Sequence, residues 1–176
     1  MSTRCQIDFI SKWKDDKDKI HEERNRVYRH SDGYPEGVLP DLKEFLKWNE
    51  GRNSDIEYMT ANFIFWNKRK HEDEYFNKDL DGKDKDKNLK WDSIQSTNTS
   101  ILHIGFGVCD VNSFHGDIEY FYEIITDENG KVSINVYKVP SWDSKSKDDF
   151  KLMFTCTLAQ LNNDKFMERF LIARAI

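Results

Sequence analysis

Alternation of apolar and polar residues along the chain predicts β-strands, because side chains on a strand point to opposite faces in turn. Five runs show this pattern: 4–10, 26–30, 118–125, 131–139 and 152–158. The nearly continuous apolar run 101–111 predicts a strand that is central in the sheet. Asn129 and Gly130 lie between two alternating runs and predict a hairpin with a type I′ turn.

Apolar residues spaced three and four positions apart predict helices. Leu39, Leu42 and Phe45 form such a stripe. Pro40 suits the first helical position, where its missing N–H group is no loss, and Gly51 suits the C-terminal cap. A first helix is therefore predicted to begin at Pro40 and to end near Glu50, with Gly51 as its C-terminal cap.

Two further helices follow from capping signals. Ser54 and Glu57 have the spacing of a capping box and open the second helix. Asn163 or Asp164 caps the last helix, whose apolar face is Phe166, Met167, Phe170 and Leu171. The charged run 12–24 is consistent with a hairpin loop or with an exposed helical turn.

The order of these elements predicts an α+β fold in a single domain, residues 1–176. Strands and helices are segregated along the chain, which favours a mainly antiparallel sheet of about five or six strands with about three helices. The polar stretch 68–98 is interpreted as a mobile, solvated insertion within this domain. Within it, residues 79–88 are expected to be exposed and to be cut first by proteases.

Composition and charge narrow the classes of function. The net charge is -5, so a nucleic-acid partner is not expected, because phosphate binding requires a basic excess. No run approaches the ~20 apolar residues of a membrane span. Cys5, Cys109 and Cys156 are too far apart in sequence for a metal-binding pair, and their odd number favours free thiols in a reducing compartment. A cytoplasmic location is therefore expected.

Two His-x-Asp pairs carry the candidate chemistry. His30 and Asp32 lie in a stiff loop, rich in glycine and proline, between a predicted strand and a helix. His115 and Asp117 precede another strand. If that strand extends back to His115, its period of two places Glu119 on the same face.

The two pairs admit more than one interpretation. If the segments meet in space, as we predict, His30, Asp32, His115 and Asp117 are candidate ligands of a divalent metal, since imidazole and carboxylate suit Zn, Mn or Fe. They could equally serve as a general acid–base pair. In the structural alternative, each pair only satisfies its own turn, and the segments lie far apart.

A second set of residues near the first pair suits a small anionic ligand. Arg4, Arg29 and Tyr34 can bind an anion, since arginine recognises phosphate with two parallel hydrogen bonds. Salt bridges to Asp32 or Glu36 would explain the two arginines equally well.

Three segments carry a family resemblance: Ser2-Thr3-Arg4-Cys5, Tyr28-Arg29-His30-Ser31-Asp32-Gly33-Tyr34-Pro35-Glu36-Gly37-Val38 and His115-Gly116-Asp117-Ile118-Glu119-Tyr120-Phe121-Tyr122. Together they resemble a family of small uncharacterised proteins of phages, prophages and archaeal mobile elements, which has a His-x-Asp-Gly-Tyr-Pro motif. Ser31 departs from the aromatic residue usual after the histidine in that family.

The resemblance implies no activity, so two functions are carried forward as hypotheses. The first is a non-enzymatic accessory binding module that acts on a host protein or a small ligand. The alternative is a metal-dependent hydrolase of the phosphoester class.

Overall fold

A computed structural model describes residues 2–75, 105–141, 144, 146–166 and 168 of the chain. Its strands are β1 (Cys5–Lys14), β2 (Ile20–Arg29), β3 (Phe106–Cys109), β4 (Tyr120–Thr126), β5 (Val132–Lys138) and β6 (Lys151–Thr157). They form one sheet in the order β3-β2-β1-β4-β5-β6. β1 and β4 are parallel, and the other neighbouring pairs are antiparallel. The α+β class and the mainly antiparallel sheet are therefore confirmed.

The helices are α1 (Pro35–Trp48), α2 (Ile56–Tyr75) and the short α3 (Leu158–Leu161), with 3-10 turns at Glu50–Arg52 and Lys147–Asp149. The apolar stripes of α1 and α2 are buried against one face of the sheet. Phe63 of α2 lies with its ring centroid 5.2 Å from that of Phe9 and 5.1 Å from that of Phe45. This helix-covered face holds the main apolar core.

The helix boundaries differ from the predicted ones. α1 begins at Pro35, because extended Tyr34 precedes a proline whose fixed φ suits a first helical residue, and Pro40 lies inside the helix. Its C-terminal cap is Asn49. α2 begins at Ile56, where Asp55 Oδ1 accepts a hydrogen bond from the Tyr58 backbone N–H at 3.3 Å, so Ser54 is not the cap.

The charged run 12–24 belongs to a long hairpin. β1 and β2 extend through it to the turn, where Asp15 Oδ1 accepts hydrogen bonds from the backbone N–H groups of Lys17 and Lys19. β3 is an edge strand of the described sheet, with Val108 72% exposed, so the prediction of a central strand is wrong. Residues 101–104 lie outside the described residues.

The predicted β4–β5 hairpin is confirmed, but its turn type is not. Asp127 O accepts from Gly130 N at 2.9 Å, and Asp127 N donates to Lys131 O at 3.1 Å. Gly130 has a φ of 74°, whereas Asn129 is not among the described residues with positive φ. This geometry is a type I turn followed by a left-handed glycine, as in three-residue hairpin loops.

Parts of two predicted segments lie outside the described residues. Residues 68–75 continue α2, and residues 76–98, including the predicted exposed stretch 79–88, lie outside the described residues. Asn163 Oδ1 accepts from Lys165 N at 3.0 Å, as expected of a helix cap, and Phe166 packs on the core. Met167, Phe170 and Leu171 are not described. None of the described helices is long and apolar enough to cross a membrane.

Candidate functional site

The second face of the sheet, opposite the helices, holds buried charges. Asp8 on β1 is fully buried and accepts two hydrogen bonds from Arg26, from Nε at 2.6 Å and from Nη2 at 2.8 Å. It also accepts one from Arg24 Nη1 at 2.7 Å. Arg26 is 1% exposed, and its guanidinium lies 4.1 Å from the Phe114 ring centroid. The charge of Asp8 is thus compensated on the strand next to it.

Glu123 on β4 is the second buried carboxylate of this face, opposite Asp8 in the parallel register. It accepts hydrogen bonds from Lys147 Nζ, from Tyr137 OH at 2.8 Å and from Asn135 Nδ2 at 3.1 Å. Burial by itself would raise the pKa of Glu123, but these donors outweigh it and the pKa is lowered. Glu123 is therefore held in its charged form.

These buried charges anchor the loops that cover the second face. Arg26 Nη1 donates to the backbone oxygen of Ser113 at 2.8 Å, and Lys147 ties its 3-10 turn to Glu123. Asp8 and Glu123 each accept three hydrogen bonds within the protein. We therefore interpret the network as a scaffold that positions the loops.

The scaffold was missed by sequence reasoning. Asp8 stands between Ile7 and Phe9 in an alternating run, and such a residue is expected to face solvent. The available signal was the unusual number of charged residues on both strands of the first hairpin. That signal does not distinguish a buried ion pair from a solvated one.

A cluster of polar side chains lies at the surface, at the end of the sheet where β1 and β4 begin. We call it the Tyr28 cluster; its members are Arg4, Tyr28, His30, His115 and Asp117. Tyr28 OH lies 3.2 Å from His30 Nδ1 and donates to Asp117 Oδ2 at 3.3 Å. The His115 ring stacks on Tyr28 with centroids 4.5 Å apart, and Arg4 Nη1 lies 3.2 Å from Asp117 Oδ2.

Backbone contacts bring the members of the Tyr28 cluster together. Tyr28 and His30 are two positions apart and share a face at the end of β2. Arg4 immediately precedes β1, and its backbone oxygen accepts from Glu119 N at 2.9 Å. The backbone N–H of His115 donates to Gln6 Oε1 at 3.2 Å. The predicted meeting of the two His-x-Asp segments is thus confirmed for His30, His115 and Asp117.

The cluster is accessible yet partly desolvated. His30, His115 and Asp117 are exposed, whereas Arg4 and Tyr28 are half-buried. Burial raises the pKa of the Tyr28 hydroxyl, and the negative charge of Asp117 adds to this effect. Tyr28 therefore stays a neutral hydrogen-bond donor near neutral pH.

One buried atom of the cluster has no hydrogen-bond partner among the described residues. Among the buried side-chain nitrogen and oxygen atoms of the described residues, Arg4 Nε is the one without a hydrogen bond. A buried donor left unpaired costs about 1–3 kcal/mol, so native proteins rarely keep one. Arg4 Nε is therefore the unsatisfied buried donor of this surface.

The other predicted site residues have different surroundings. Arg29 points to the helix-covered face, where it pairs with Asp41 at 2.6 Å and lies over Phe106. Arg29 therefore lies apart from the rest of the predicted anion-binding set, because its charge is neutralised by Asp41 on the helix-covered face. Its partner on α1, Asp41, is also bonded by Lys70.

Three more predicted residues are engaged locally. Tyr34 OH donates to Asp32 Oδ1 at 3.2 Å, and the charge of Asp32 raises the pKa of Tyr34. Glu119 pairs with Lys138 at 3.4 Å. Residues 115–118 form a turn, with Ile118 N donating to His115 O at 3.5 Å. The strand therefore does not extend back to His115, and the predicted shared face with Glu119 is wrong.

The arrangement offers little to metal or thiol chemistry. Among the described residues, no group of three or more His, Cys, Asp or Glu side chains is placed to hold a metal ion. The geometry thus lends no support to the metal interpretation of His30, Asp32, His115 and Asp117. Cys5 is fully buried, and burial raises the pKa of its thiol to about 12, which disfavours the reactive thiolate.

In comparisons with known proteins, no family model matches the chain, and neither does any curated protein or solved structure.

Proposed function

We propose that this protein is a non-enzymatic binding module and that the Tyr28 cluster is its contact surface. The observation that carries the proposal is that two separate chain segments meet at Tyr28. Its hydroxyl contacts His30 of its own segment and Asp117 of the other, and its ring stacks on His115. These three side chains are exposed, so a ligand can reach them. Convergent polar groups at an accessible place are typical of binding sites.

The rigid support behind the cluster favours recognition. Gln6, 0% exposed, holds the His115 backbone, and the buried Asp8–Arg26 pair fixes the neighbouring Ser113. A binding surface gains affinity when its groups are already held in place before the ligand arrives. The cluster meets this condition because the turn that carries His115 is tied to a buried residue of β1.

The wider assignment is part of the same proposal. The sequence resemblance supports a role as an accessory protein of a mobile element, acting on a host protein or a small ligand. The net charge of -5 supports a ligand other than nucleic acid. The free cysteines support a reducing, cytoplasmic location.

Thermal unfolding in the presence of a ligand panel tests the proposal. The panel contains small carboxylates, phosphates, nucleotides and divalent metal ions, and it is applied to the wild type and to His115→Ala. A ligand of the cluster should raise the unfolding temperature of the wild type only, since binding to the folded state stabilises it. Lys43→Ala, at an exposed pair with Asp164 in another part of the molecule, serves as the control and should keep the response.

Two results would count against the binding module. A ligand that stabilises His115→Ala as strongly as the wild type would place the site elsewhere. Stabilisation by metal ions alone, together with phosphoesterase activity that His115→Ala lacks, would favour the hydrolase alternative instead.

A further inference from the structure

We infer that Arg4 is the anchor of an oxyanion subsite, which takes the carboxylate or phosphate group of the ligand that the proposed function requires. The inference rests on that function and adds the chemical class of ligand. Arg4 Nε is a buried donor without a partner, while the side chain as a whole is 33% exposed. The guanidinium is thus near solvent but incompletely bonded.

Arg26 shows how the Nε–Nη2 edge of a guanidinium is arranged when both of its nitrogens are hydrogen-bonded. Its Nε and Nη2 donate side by side to the two oxygens of Asp8, at 2.6 Å and 2.8 Å. In Arg4 the contact to Asp117 is made through Nη1 instead, and Nε is left over. The Nε edge of Arg4 is the one that would donate two parallel hydrogen bonds to two oxygens of an anion.

Asp117 competes for Arg4 in the structure as described. Their pair is exposed, with 33% and 45% of the two side chains accessible, and pairs of this kind contribute only about 0–1 kcal/mol. A ligand oxyanion that turned the guanidinium outward would replace this weak contact and would satisfy Nε as well. Asp117 therefore supplies, from within the protein, the negatively charged partner of Arg4 that the ligand would otherwise supply.

The neighbours of Arg4 fit the same class of ligand. Tyr28 OH is a neutral donor, and the exposed residues His30 and His115 carry imidazoles, each of which has an N–H group that can donate. These groups carry no negative charge. Once Asp117 is displaced, the surroundings of Arg4 therefore offer hydrogen-bond donors to an anion.

The experiment is a titration of the labelled protein with inorganic phosphate and, separately, with acetate. It is followed by NMR at the Nε–H signals of the arginines. Phosphate or acetate at the subsite should shift the Arg4 Nε–H signal in a saturable way. The Arg26 Nε–H signal is the internal reference and should stay in place, since its edge is already bonded to Asp8. The two anions distinguish a phosphate site from a carboxylate site.

Two variants move the affinity in opposite directions. Arg4→Lys should weaken binding about tenfold or more, since lysine lacks the two-donor edge. Asp117→Asn removes the competitor and should tighten binding by up to about fivefold. Arg52→Lys and Asp55→Asn, at another exposed Arg–Asp pair, are matched controls and should leave the affinity unchanged.

The inference fails if neither anion shifts the Arg4 signal, or if Asp117→Asn weakens binding or leaves it unchanged. The Asp117→Asn arm remains decisive if Arg4→Lys does not fold. If both anions fail while another ligand still requires His115 in thermal unfolding, the binding module stands and only the oxyanion assignment falls. If that ligand also binds His115→Ala fully, the proposed function itself is wrong.

Discussion

Asp8 and Arg26 form a two-hydrogen-bond ion pair across β1 and β2, at a depth where neither side chain is more than 1% exposed. The pair lies on the sheet face that the helices do not cover. Arg24 on the same face donates to the same carboxylate but also pairs with Glu22 at 2.6 Å, so the loss of Asp8 would leave the buried Arg26 as the cation without its carboxylate. The energetic consequences are large, because an unpaired buried charge is costly.

Asp8→Ala should therefore destabilise the protein by about 3–5 kcal/mol, as is usual when one partner of a buried pair is removed. Urea denaturation measures this as a lower midpoint. Glu44→Ala, which removes an exposed partner of Lys70, is the control and should change stability by about 0.5 kcal/mol or less. The double variant Asp8→Leu, Arg26→Met should recover part of the loss. If it is as unstable as the single variant, the cost does not come from the stranded arginine.

Because of Glu123, the free energy of unfolding should depend on pH in the acidic range. Its pKa is lower in the folded protein than its ordinary value of 4.5, so the folded state favours the charged form. That contribution is present above pH 4.5 and is lost as the pH falls through the lower, folded-state pKa. The stability difference between the wild type and Glu123→Gln should thus narrow as the pH falls from about 6 to about 3. Urea midpoints across this range give the answer, and a constant difference would contradict the assignment.

Gly130→Val should destabilise the β4–β5 hairpin by about 1–3 kcal/mol, because a β-branched residue is strained at positive φ. The φ of Gly130 is 74°, and no atom lies within 4 Å of the added Cβ, so the cost comes from the backbone alone. Gly51→Val is the matched control, since Gly51 is equally open but lacks a positive φ. Equal denaturation midpoints for the two variants would show that the turn tolerates a β-branched residue at positive φ without a measurable cost.

Gly33→Ala tests the packing that supports the Tyr28 cluster. A Cβ at Gly33 would lie 2.7 Å from the backbone C of Arg4 and N of Cys5. Since backbone cannot give way as a flexible side chain can, we expect a loss of about 1–3 kcal/mol. Shifted NMR signals of Arg4 and His30 should accompany it. Gly107→Ala, where the added Cβ meets nothing within 4 Å, should leave both stability and these signals close to those of the wild type.

Local pattern was a good guide to the elements of this fold. The alternation in residues 4–10 and 131–139 reflects strands with one apolar face, and the stripe from Leu39 to Phe45 reflects a helix on a core. Boundaries were less well predicted, as at Pro35 and Pro40. Both prolines suit a first turn, and the choice between them depended on the extended conformation of Tyr34.

The candidate site was predictable in part. Residue type alone indicates the two histidines and Asp117 as candidates for chemistry, and in the structure all three contact Tyr28. Tyr28, which joins them, was not selected, since it looks like any aromatic residue of a strand. Arg29 lies on the opposite face of β2 from Tyr28 and His30, as the alternation along a strand requires, and it pairs there with Asp41.

By itself, then, the sequence determined the class of fold, the strands and helices, and the residue types at the site, since each of these follows from short-range periodicity and chemistry. Tertiary structure alone decided that the backbone of His115 rests on Gln6, 109 positions away. It also decided that Asp8 and Glu123 lie side by side beneath loops. The reason is physical: a polar residue in an alternating strand has the same local pattern whether water or another layer of protein covers it, and only the complete fold supplies that layer.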